Sequence, residues 1–196
     1  MPAVIVPSPS ERSRAAPLPP AERRAAIVRA IGPLILVHGA GVTTKEIAQG
    51  AGISEGTIFN VFADKDELIQ AVVEAALDPQ PLEAQLAEID SAQPFEARLE
   101  AATELVQRHM MHIWRLLAAL GPRMHRRPDQ LPQSPGLVAI FAAEPERVRV
   151  SPAIAARRLR AMTVTLTHPF MTSEPATPEE IVDAFLHGVA SRPRSR

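Results

Sequence analysis

The chain has 196 residues, no cysteine and a formal net charge of −1. That length buries a real core, as one long domain or two small ones, and the missing cysteine excludes a disulfide framework and a thiolate metal site. The balanced charge carries no signature of a nucleic-acid partner, and no continuous apolar run reaches the roughly 18 residues of a membrane span.

Residues 1–20 hold Pro2, Pro7, Pro9, Pro17, Pro19 and Pro20 with Arg12 and Arg14. This composition reads as a disordered or extended tail. The prolines and serines also interrupt any signal-peptide core, so a cytoplasmic location is the expectation. Pro19-Pro20 then opens a helix, with Ile27, Val28, Ile31, Leu34, Ile35 and Val37 as its apolar positions. Pro33 inside that pattern predicts a kink or a boundary. Gly39 and Gly41 end the helix.

Thr43 or Thr44 caps the next helix, which buries Ile47 and Ala48. Gly50 and Gly52 flank a turn. Ser54 caps a second short helix with Ile58 and Phe62 inward and Val61 beside them. Asp64-Lys65-Asp66-Glu67 has the form of a capping box and starts a helix through Leu68, Ile69, Val72, Val73 and Leu77. Asp78-Pro79 closes it. The expected units are a tail at 1–20, a helix-turn-helix module at 21–78, a helical domain at 79–190 and a basic tail at 191–196.

The second half is helical by period. Leu82, Leu86 and Ile89 make a short amphipathic piece. From Pro94 the stripe Leu99, Val106, Met110, Ile113, Leu117 and Leu120 runs to a stop at Gly121-Pro122. Arg123 to Pro135 reads as a solvated loop with Arg123, His125, Arg126 and Arg127. Leu137, Val138, Ile140 and Phe141 predict another helix ending before Pro145. Ser151-Pro152 starts a helix to about Thr167, and Thr177-Pro178-Glu179-Glu180 starts the last, with Ile181, Val182, Phe185, Leu186 and Val189 on its apolar side. No strand-like alternation appears, so the fold class is all-α. No nucleophile motif, phosphate-cradling loop or carboxylate pair supports catalysis.

Residues 43–68 carry a resemblance. The Thr43-Thr44 pair before Ile47-Ala48, then Ala51-Gly52-Ile53-Ser54, Gly56-Thr57-Ile58-Phe59, and Phe62 followed by Lys65 and Leu68 are similar to the DNA-binding domain of the TetR family of bacterial regulators. The likeness spans roughly 23–75. It implies a C-terminal helical domain, a homodimer, a double-stranded operator and a small-molecule effector; no cofactor is expected. Two short helices on a tight turn hold one of them in the major groove. Ser54, Glu55, Gly56, Thr57, Phe59 and Asn60 are then placed at the groove, with Asn60 able to pair adenine. Thr43, Thr44 and Lys65 are placed at phosphates. The family often has tyrosine at Phe59 and histidine at Val61; neither residue here bonds a phosphate. The first 77 residues hold seven Lys/Arg (12, 14, 23, 24, 29, 45, 65) against eight Asp/Glu (11, 22, 46, 55, 64, 66, 67, 74). Anchoring by Arg12, Arg14, Arg23 or Arg24 is the expected compensation, with the N-terminal tail as a solvated leader or an arm in the minor groove.

A ligand pocket is expected around His109, Met110, Trp114, Phe141 and Met162, because methionine adapts to varied shapes. Met111 and Met124 are further lining candidates. The expected dimer interface uses Leu159, Leu166, Ile181, Phe185 and Val189 in a four-helix arrangement with Ala155 and Met162. His109-x-x-His112 has metal-ligand spacing, with Glu104 nearby, but no complete metal site. Three readings follow, in this order: a ligand-released repressor on a palindromic operator, a helical small-molecule-binding protein with a weak or vestigial DNA module, and a metal-dependent enzyme built on His109 and His112.

Overall fold

A computed structural model of the chain describes residues 19–121 and 133–188. Among these residues the elements are helical: α1 (Pro20–His38), a 3-10 turn Gly39–Gly41, α2 (Thr44–Ala51), α3 (Glu55–Phe59), α4 (Lys65–Leu77), α5 (Gln80–Ala87), α6 (Phe95–Leu120), α7 (Pro135–Ala143), a second 3-10 turn Pro145–Arg147, α8 (Pro152–Thr167) and α9 (Pro178–His187). Val189, Arg12, Arg14, Met124 and the loop residues Arg123, His125, Arg126 and Arg127 lie outside the described residues.

Local chemistry sets most helix starts. Thr43 accepts the Glu46 amide, and Glu46 accepts the Thr43 amide in return. Thr177 and Glu180 repeat this reciprocal cap. At α4 the Asp64 carboxylate accepts the Glu67 amide at 2.8 Å. Glu67 reaches one residue further back than a capping box requires, to the Ala63 amide at 2.6 Å. Ser151 begins α8 without a side-chain cap bond, leaving Pro152 in the first turn to set the start. Pro33 does not end α1, which runs through it. Pro20–Gly41 has the length and apolarity of a membrane span, with mean hydropathy 1.2. Its Ile27, Val28, Ile31 and Ile35 are instead buried in the protein's own core.

Among the described residues there are two apolar cores. The first gathers α1 to α4 around Ile31, Ile35, Val42, Ile47, Ile58, Phe62 and Leu68. The second gathers α5 to α9 around Phe95, Leu99, Phe141, Ala155, Leu159 and Ile181. The 26-residue α6 belongs to both. Its Leu116 and Leu120 complete the first core, while Phe95 to Ile113 line the second. α6, which lies wholly after residue 78, thus packs into the core of the N-terminal helices as well as that of the C-terminal ones. Gln107 fixes the far side of that helix: its amide donates to Thr167 Oγ1 at 2.9 Å and to the Ala176 carbonyl at 2.8 Å. Buried Arg98 pairs with Glu144 and ties α6 to the end of α7.

Candidate nucleic-acid interface

The turn between α2 and α3 rests on Gly52, which adopts φ 66° and ψ 29°. This left-handed conformation favours glycine and lets the Gly52 amide bond the Ala48 and Gln49 carbonyls. Ser54 then caps α3, accepting the Thr57 amide at 3.2 Å. Ile58 and Phe62, each 1% exposed, pin α3 to the core. With that side inward, Glu55, Gly56, Phe59 and Asn60 emerge as exposed neighbours on one helical face. Phe59 is half exposed and Thr57 half-buried.

Gly56 is not demanded by the fold. A Cβ built there would meet only Ser54 Oγ, at 3.9 Å. Its negative-φ conformation suits any residue. Absence of a side chain at an open position of a short helix is what close approach to a second surface needs.

The polar residues around this face are partly engaged within the chain. The Thr44 hydroxyl donates to Glu55 at 2.7 Å, clamping the start of α2 to the start of α3. The Thr43 hydroxyl donates to Glu46 at 2.8 Å. Bonding from the Thr43 amide and then its hydroxyl holds the Glu46 carboxyl below the usual range. Lys65 Nζ donates to the Ala40 carbonyl at 2.7 Å. Arg24 donates to Glu67 at 2.9 Å and stacks 4.3 Å over Phe62. Its role is to hold α1 against α4, a long-range pairing for which the sequence carries no local signal. Lys45 stands exposed on α2.

The residues expected to line a ligand pocket are brought together, but as packing. Met110 and Phe141 are buried in the second core, with Trp114 and Met162 packed against it. Phe141 meets Phe95 edge-on at 5.8 Å, and Trp114 meets His168 at 4.4 Å. His109 is half-buried, and burial, then the nearby charges of Arg160 and His112, lower its pKa. His112 is exposed, and among the described residues no group of three or more His, Cys, Asp or Glu is placed to hold a metal. A cavity of about 170 Å³ lies between α7 and α8. Of the expected interface residues, Leu159 and Ile181 are 1% and 0% exposed, committed to the chain's own core; Leu166 and Phe185 are half-buried.

Residues 34–72 match the family model described as bacterial regulatory proteins, tetR family. The chain carries a TetR-family DNA-binding domain. The whole TetR-like fold has solved counterparts. A putative TetR-family regulator from Mesorhizobium loti is 19% identical, with TM-score 0.55 over 87% of this chain and 98% of that one. A TetR-family regulator from Haemophilus influenzae is 15% identical, with TM-score 0.55 over 86% and 96%. A putative transcriptional regulator from Pseudomonas aeruginosa is 23% identical, with TM-score 0.52 over 88% and 91%. At these identities the likeness is one of fold. A comparison with curated proteins gives no match.

Proposed function

We propose that this TetR-family chain is a one-component transcriptional regulator: a homodimeric, ligand-released repressor of a palindromic operator. The observation that carries the reading is the α2–turn–α3 unit, whose free face presents Glu55, Gly56, Phe59 and Asn60, with Gly56 in open space. Thr44 and Ser54 stand beside that face, and Asn60 suits adenine. The continuous α6 supplies a mechanical link, since a displacement of its second-core half is transmitted to Leu116 and Leu120 under the DNA module. An effector acts by favouring one of two dimer geometries, which requires unequal affinity for them.

A second reading is favoured by specific contacts. Thr44, Lys65 and Arg24 spend hydrogen bonds inside the chain, and Glu55 adds negative charge at the groove face. On that reading the chain is a ligand-binding protein with a weak DNA module. Selection of duplexes from a random library separates the two. The repressor reading expects enrichment of two inverted half-sites; recovery of no shared sequence favours the second.

A further inference from the structure

We propose that Glu55 is a base-reading residue that selects a cytosine in each operator half-site, and that Thr44 is the residue that positions it. The inference rests on the reading of the α2–turn–α3 unit as a groove-binding surface and names one base pair that it reads.

Three observations converge. The first is place. Glu55 is the first residue of α3 and stands exposed beside Gly56, Phe59 and Asn60, on the face left open once Ile58 and Phe62 are buried. Side chains early in a recognition helix are those that reach base edges in the major groove. The second is a clamp. The Thr44 hydroxyl, on the first residue of α2, donates to Glu55 Oε2 at 2.7 Å across 11 positions of sequence. Thr44 is half-buried and β-branched, so its own rotamer is restricted. An exposed glutamate is otherwise free to swing, and ordering it on DNA has an entropic cost. The clamp removes part of that cost before DNA arrives.

The third is chemistry. The Thr44 proton points at the carboxylate, which is thereby used as an acceptor. An ionised carboxylate accepts only, at about four lone-pair sites, and the Thr44 bond occupies one of them. It matches a donor on a base edge and is repelled by the acceptors of guanine and thymine. Adenine and cytosine each present an amino donor. Adenine sets it beside the N7 acceptor, whereas the edge of cytosine carries the donor without one. Cytosine is therefore the base that Glu55 selects.

Selection from a random duplex library, run in parallel on the full-length protein and on Glu55→Ala, Glu55→Gln and Thr44→Val, tests the assignment. We expect the wild-type chain to enrich inverted half-sites with cytosine at one position, preferred about tenfold or more, and with guanine and thymine tolerated least. Glu55→Ala should level the preference there and leave the other positions unchanged. Glu55→Gln, which adds a donor, should move it toward adenine. Thr44→Val keeps the branched shape and should weaken the same preference. A Glu55 that only favoured the helix dipole would instead change affinity for every duplex alike. Should Glu55→Ala fail to fold by circular dichroism, Glu55→Gln carries the test. Half-sites enriched without a cytosine preference, or with one that survives the Glu55 variants, overturn the assignment and leave the groove-binding reading standing. A preference lost in the Glu55 variants but intact in Thr44→Val overturns the positioning role of Thr44. Recovery of no shared sequence by the wild-type chain overturns both the assignment and the reading beneath it.

Discussion

Gly56 separates what folding needs from what the proposed DNA contact needs. Alanine is a better helix former than glycine by about 1 kcal/mol, and the chain itself leaves room for a methyl group there. Gly56→Ala should therefore hold or raise the melting temperature while weakening duplex binding at least about tenfold, since a methyl group at a closely packed surface forces separation. A variant that melts lower and binds equally well would remove the assigned role. His109 supports a second residue-scale prediction. Its pKa is lowered from 6.5, first by burial and then by Arg160 and His112, with Asp78 opposing. The unfolded chain then takes up the proton first, so stability is full above about pH 6.5 and falls as pH drops toward the folded-state pKa. His109→Gln should flatten that decline in urea unfolding measured across the range. An unchanged slope would assign it to other groups.

At the scale of elements, helix starts were legible because a cap is a conversation between residues three apart. Thr43 with Glu46, Ser54 with Thr57, and Thr177 with Glu180 can be read directly from the chain. What closes each core was not legible. The stripe of α6 continues without a change of period from Met110 to Leu120, so nothing marks where it leaves one core for the other. The same holds for the α7–α8 cavity, whose small walls look in sequence like an ordinary helix face. Of the residues expected at a pocket, Met110 and Phe141 are buried in the second core. It follows that residues 19–78 without α6 lack part of their core. Leu116→Ala in the full chain should cost about 2–5 kcal/mol, and the isolated segment should melt far below the intact protein by circular dichroism. A fragment as stable as the whole chain would show that α6 is dispensable to the DNA module.

For the whole molecule, the proposed dimer must be built from surfaces the chain has left over. Leu159 and Ile181 are spent internally, whereas Phe170 and Met171, just past α8, are 94% and 70% exposed. Exposed large apolar groups side by side mark contact surfaces more often than free ones. Replacing both with serine should shift the protein to monomers by light scattering with its helical content intact, and an undiminished dimer would place the interface elsewhere. The proposed dimer would set the spacing of its two α3 helices on the proposed palindrome. The most direct measurement is fluorescence anisotropy of the full-length protein on its selected palindrome and on a scrambled duplex, across a salt series. A dimer making about six phosphate contacts should give log K falling with log salt at a slope near −5, together with clear preference for the palindrome. A shallow slope and equal affinity for both duplexes would contradict the assignment of the α2–α3 face as a sequence-reading surface.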